Sequence, residues 1–169
     1  MARPANTPFQ ETRLAFIGGG NMASAILGGL IREGMAPSQV TLIEPFAETA
    51  AKLKAAWGVE VYASASAEAS SSLSKADLVV WAVKPQVFKE AALPVAEFTK
   101  EALHLSVAAG IRSDSIARWL QTDRVVRSMP NTPARLGKGM TVWYATPEVT
   151  VDQRAQASAL LRSLGAELQ

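Results

Sequence analysis

Residues Leu14 to Ala23 read LAFIGGGNMA, and the reading of this stretch decides the fold. An apolar run, Leu14-Ala15-Phe16-Ile17, stops at three glycines, and a helical pattern begins at Asn21. Strand, glycine turn, helix is the context in which a G-x-G-x-x-G/A spacing carries meaning. The three positions fall on Gly18, Gly20 and Ala23. Gly18 permits the tight turn off the strand. A side chain at Gly20 would keep the backbone from a pyrophosphate, and the small Ala23 lets the helix pack close to the sheet. The unpaired N–H groups and positive end of the helix dipole then face the phosphates. The stretch predicts a dinucleotide site, with a plain glycine turn as the bland alternative.

The elements around the loop follow from periodicity and punctuation. Ile26, Leu27, Leu30 and Ile31 recur at helical spacing and predict one buried face, with Gly34 closing the helix. Gly28 and Gly29 cost about 1 kcal/mol each against alanine inside a helix, a cost that close packing on a neighbouring strand would explain. Val40 to Ile43 is a β run that ends at Glu44 and Pro45. A helix from about Ala47 to Trp57, a strand from Val59 to Tyr62 and a small helix within Ala63 to Ser74 are expected next. Leu78 to Val83 is a continuous apolar run, typical of a strand buried on both faces, and it ends at Lys84-Pro85. Gln86 to Phe98 reads as helical, kinked or divided at Pro94. A strand from Leu103 to Val107 leads into Ala108-Ala109-Gly110. A helix from Ser113 to Leu120 follows, with Ser113 and Asp114 both eligible as caps. Arg124 to Met129 is a strand ending at Pro130-Asn131-Thr132-Pro133. Gly139 to Tyr144 is another, and a helix from Asp152 to Leu164, closed by Gly165, leads to a final strand. Strands alternating with helices predict an α/β, Rossmann-type doubly wound fold, a mostly parallel sheet with helices on both faces. One domain over residues 13–169 is expected, behind a loose, flexible extension over residues 1–12.

Composition excludes several classes. Hydrophobic residues make up 49% and charged residues 19% of 169 positions, ordinary for a soluble globular domain. A formal charge of +2, without a basic stripe and interleaved aromatics, argues against nucleic acid. No apolar run approaches the ~20 residues needed to span a bilayer. The opening MARPANTPFQET lacks the apolar core of a secretory signal. Absence of cysteine fits a reducing, cytoplasmic setting, and a single histidine excludes a multi-histidine metal site.

In open parallel sheets ligands bind beyond the carboxyl ends of the strands. Glu44 lies 24 residues beyond Gly20, where an acidic residue meets the adenosine ribose, and its charge favours NAD over a 2′-phosphate. A solvated strand-end residue is the alternative. Lys84, held extended by Pro85, is a candidate contact for cofactor phosphate, ribose or an anionic substrate, against an ordinary solvent lysine. Asn131, between two prolines, either presents its amide to nicotinamide or substrate or serves a structural turn. His104 alternates with Leu103 and Leu105 and reads as a satisfied strand residue. The chain offers no nucleophile–base pair, carboxylate pair or metal-ligand spacing. That pattern suits chemistry in which a nicotinamide supplies the hydride.

Taken together, FIGGGNMA at the loop, AVKP at Ala82 to Pro85, SVAAGI at Ser106 to Ile111 and VVRSMPNTPARLGKGMT at Val125 to Thr141 resemble pyrroline-5-carboxylate reductase. The resemblance implies NADPH- or NADH-dependent reduction of 1-pyrroline-5-carboxylate to L-proline. By similarity, Gly19, Asn21 and Met22 contact the pyrophosphate side, Glu44 the adenosine ribose, and Ser66 approaches the adenosine half. Val83, Lys84, Pro85 and Ala109 border the nicotinamide side, and Met129, Pro130 and Asn131 form the floor under the reacting ring. Many members of the family prefer NADPH, a preference that Glu44 opposes. Members also continue into a helical domain that dimerises and carries an SGSGPAY motif and a loop for the substrate carboxylate. Neither occurs in these 169 residues. The resemblance therefore implies a cofactor half that can bind dinucleotide and still fail to turn over. It also implies homo-oligomers built through the absent domain. A β-hydroxyacid dehydrogenase, which shares this kind of cofactor domain, and a non-catalytic dinucleotide-binding module are the alternatives.

Overall fold

The computed structural model of the chain describes Phe9 and residues 11–169. Its centre is a run of strands too apolar to face water. β1 (Leu14–Ile17) is buried at every position and lies between β2 (Val40–Ile43) and a later strand, β4 (Leu78–Trp81), parallel to both. β3 (Glu60–Tyr62) extends the sheet beyond β2. β5 (Leu103–Ser106) and β6 (Val125–Pro130) extend it beyond β4, all in parallel. β7 (Gly139–Ala145) returns antiparallel against β6, and β8 (Gly165–Leu168) closes the edge parallel to β7. The eight-stranded order is β3-β2-β1-β4-β5-β6-β7-β8, so the order reverses at the β1/β4 pair. In a sheet of this kind that reversal is the place for a ligand.

Alternation along each strand divides the core. Leu14 and Phe16 of β1 face one side, with Ile26, Leu27 and Leu30 of α1 (Asn21–Arg32), Leu53 of α2 (Ala47–Trp57), and Leu160 and Leu161 of α6 (Val151–Arg162). Ala15 and Ile17 face the other, with Leu73 of α3 (Ala67–Ser74), Phe88 and Val95 of α4 (Phe88–Ala96) and Ile116 of α5 (Ser113–Leu120). Helices on both faces leave β1, β4 and β5 dry.

Local chemistry departs from expectation in several places. The helix expected from Gln86 is not divided at Pro94, which sits inside α4; it is the approach that is separate, a 3-10 turn over Pro85–Val87. Neither Ser113 nor Asp114 caps α5. The cap position is Arg112, and Asp114 Oδ1 instead accepts from Arg112 Nε at 3.1 Å and Ser115 N–H at 2.9 Å. Gly165 does not close α6, which stops at Arg162; with φ of +128° it opens β8. Gly28 and Gly29 pack closely, but against Trp57 and Ser163 rather than a strand: a Cβ would lie 2.9 Å from an atom of each. Of the extension expected to be flexible, only Phe9, Glu11 and Thr12 are described. Phe9 and Thr12 are not loose: both are buried, and their carbonyls accept from Gln39 Nε2 at 2.7 and 2.9 Å.

Candidate dinucleotide-binding site

Three strand ends meet at the reversal of strand order. Gly18 N–H donates to Ile43 O and Ala82 N–H to Ile17 O, both at 2.9 Å, so the chains leaving β1, β2 and β4 are held at one level. Gly18 has φ of +93°, and a Cβ there would lie 2.5 Å from the Ala82 carbonyl oxygen. Only glycine fits. Gly19 is buried over Leu42, Leu53 and Glu44. Gly20 differs from both. It is exposed, its φ of −73° is ordinary, and a Cβ would meet nothing within 4 Å.

Gly20 is also the N-cap of α1, and no side chain caps that helix or places an acid in its first turn. A helix start leaves N–H groups without intrahelical partners. Here they open at a glycine facing free space, over a helix whose Ala23 is fully buried against the sheet. These residues fit a dinucleotide pyrophosphate: the glycine loop, the uncapped amides and the positive dipole end come together where a Cβ would stand.

The remaining positions lie around the same end of the sheet. Asn21 is exposed and Met22 half-buried in the first turn of α1. Ser66 is exposed at the cap position of α3, without a side-chain capping bond. Val83 is half-buried against the Gly18 turn, while Lys84, Pro85 and Ala109 are exposed. Lys84 has the extended conformation that its proline imposes (φ −62°, ψ 141°). Met129 is 59% exposed at the end of β6, with Pro130 half-buried and Asn131 exposed beside it. Asn131 Oδ1 accepts from Met140 N–H at 3.0 Å, which pins the hairpin between β6 and β7 and leaves the amide N–H groups without a partner among the described residues.

Glu44 is not the solvated strand-end residue of the alternative. It is only 6% exposed, and one carboxylate oxygen accepts from Gly19 N–H at 2.8 Å. Two buried serines also went unnoticed in the sequence. Ser106 Oγ accepts from Ala108 N–H at 3.1 Å, and Ser128 Oγ donates to Ser106 O at 2.8 Å, which fixes the turns leaving β5 and β6. The available signal was a hydroxyl inside an otherwise apolar strand.

His104 is enclosed. Its Nδ1 accepts from Trp81 Nε1–H at 2.9 Å, and its Nε2 donates to Thr99 O at 3.0 Å. Burial pushes its pKa down to about 4. The ring is neutral and committed to packing. Among the described residues no group of three histidine, acidic or cysteine side chains could hold a metal ion. A surface cavity of about 510 Å³ beside Arg118, Asp123 and Thr146 lies at the amino end of β6 and away from this crevice.

Residues 13–110 match the family described as NADP oxidoreductase, coenzyme F420-dependent. The chain is 42% identical over 158 residues to the pyrroline-5-carboxylate reductase of Pseudomonas aeruginosa, covering 92% of this chain and 56% of that protein. The structure of a pyrroline-5-carboxylate reductase from Coxiella burnetii superposes with a TM-score of 0.85 at 31% identity, over 93% of this chain and 58% of that one. The pyrroline carboxylate reductase of Plasmodium falciparum, solved with NADP bound, shares the fold at a TM-score of 0.78 and 19% identity, again over 58% of its length. The chain thus spans a little over half the length of these relatives.

Proposed function

The chain belongs to the family described as NADP oxidoreductase, coenzyme F420-dependent, and from that premise we propose that it is the dinucleotide-binding half of a pyrroline-5-carboxylate reductase. The reaction is reduction of the cyclic imine of 1-pyrroline-5-carboxylate to L-proline. The observation that carries the reading is Gly20, an open glycine at the uncapped start of α1, set in the crevice where strand order reverses. Relatives that match over more than nine-tenths of the chain support the choice of substrate.

A nicotinamide dinucleotide, NADPH or NADH, supplies a hydride when bound. The chain's own residues bind and orient it. Gly18 turns the backbone, Gly20 admits the pyrophosphate to the amides of Asn21 and Met22, and Ser66 borders the adenosine half. Val83, Lys84, Pro85 and Ala109 border the nicotinamide half. Met129, Pro130 and Asn131 form a stiff floor, because Pro130 and the Asn131–Met140 bond restrict that turn. His104 does not deliver the proton that the imine nitrogen needs, since both ring nitrogens are engaged inside the core.

A domain exchange tests the proposal. Residues 13–169 replace the matching part of the Pseudomonas aeruginosa enzyme; NAD(P)H oxidation is followed with pyrroline-5-carboxylate, and NAD(P)+ reduction with a β-hydroxyacid. The proposal expects turnover of the imine alone. A folded chimera that binds dinucleotide and oxidises none with pyrroline-5-carboxylate contradicts it and favours a non-catalytic binding module.

A further inference from the structure

Glu44 follows β2 directly and is a carboxylate only 6% exposed, which is rare for an acid that has no ion-pair partner among the described residues. Its position is over-determined. Its backbone N–H donates to Tyr62 O at 2.9 Å. One carboxylate oxygen accepts from Gly19 N–H at 2.8 Å, and the other accepts from Phe46 N–H at 3.4 Å. The carboxylate is tied on one side to the glycine loop and on the other to the turn entering α2. Turning it away from the site would strand a buried amide.

No basic residue from Glu44 to Ser66 pairs with it. From Glu44 to Ser66 the basic residues are Lys52 and Lys54. Lys52 pairs with Glu48 of the first turn of α2 at 3.0 Å, and Lys54 lies in the last turn of that helix, at its far end. In this fold the acidic residue past β2 meets the ribose hydroxyls, and an arginine nearby is what accommodates a 2′-phosphate. This end of the crevice has the acid and, among the described residues 44–66, no arginine.

We propose that Glu44 selects NADH over NADPH, its loop-tied carboxylate opposing the 2′-phosphate while its bond to Gly19 positions the glycine loop for the pyrophosphate. The inference rests on the dinucleotide reading above. It departs from the NADP in the family's description. Two properties of one side chain are involved, charge and hydrogen bonding, and substitutions separate them.

Calorimetric titration of the 169-residue chain is expected to favour NADH by at least about tenfold. Glu44→Gln keeps an oxygen for Gly19 N–H and removes the charge. NADPH affinity then rises at least about fivefold relative to NADH affinity, and hydrogen exchange at the Gly19 amide stays slow. Glu44→Ala removes both properties, so Gly19 exchange accelerates and both affinities fall. Wild-type chain that takes NADPH as tightly as NADH overturns the selection, as does Glu44→Gln shifting both affinities by one factor. Unchanged Gly19 exchange in Glu44→Ala overturns the positioning role. Wild-type chain that binds neither dinucleotide overturns the dinucleotide reading itself, and this inference with it.

Discussion

Gly18 and Gly20 stand two residues apart under opposite constraints. Gly18 is required by the protein, because a Cβ would meet the Ala82 carbonyl oxygen at 2.5 Å from a backbone at φ +93°. Gly18→Ala is expected to lower unfolding free energy by at least about 2 kcal/mol in denaturant titrations. Gly20 is required by nothing in the chain, so Gly20→Val should cost less than about 1 kcal/mol. His104 yields a pH prediction. Burial lowers its pKa to about 4 in the folded chain, against an ordinary value of 6.5. Between those values the unfolded chain holds the extra proton, so stability rises with pH. The contribution is fully present above about pH 6.5 and is lost as pH falls toward 4, on the order of 3 kcal/mol. Urea titrations at several pH values should show that slope, and His104→Gln should flatten it. The sequence placed His104 correctly in a strand because its neighbours alternate. It could not place the Glu44 carboxylate, because spacing fixes where a residue leaves a strand and not which amide its side chain finds.

At the scale of elements, α1 and α6 are both twelve residues long and begin in contrasting ways. Thr150 caps α6: its Oγ1 accepts from Gln153 N–H at 3.1 Å, and Gln153 Oε1 accepts from Thr150 N–H at 3.1 Å. Thr150→Ala is expected to cost about 1 kcal/mol of stability by chemical denaturation. α1 has no such arrangement, and its start is the one at the crevice. Caps and glycines were legible only where their signals were unambiguous. Gly34 ends a helix with positive φ as expected, and Gly58 ends α2 in the same way, whereas Gly165 shares that property and starts a strand. A glycine marks an unusual backbone without saying which element it belongs to. Pro94 does not divide its helix: near the end of a short helix the carbonyl it leaves unbonded can turn to water, so the helix continues.

For the whole molecule, the sheet was legible because its central strands are apolar on both faces and helices lie between them. The antiparallel return of β7 follows from length, since residues 131–138 are too few for a parallel crossover. β7 alternates buried and exposed residues, unlike the wholly buried β1 and β4, so the sheet is driest at its middle and most open toward β8. Native-state hydrogen exchange should be slowest in β1 and β4 and fastest, among the strands, in β8. That gradient leaves the rigid part of the molecule under the crevice, where a positioned loop needs it. If a nicotinamide dinucleotide binds at the open start of α1, titration of the 169-residue chain and of its Gly20→Val variant with NADH and NADPH separates the two proteins. Saturable binding of at least one dinucleotide to the wild-type chain is expected, with a loss of at least about tenfold in the folded variant; no binding to the wild type, or undiminished binding to the variant, rules that site out.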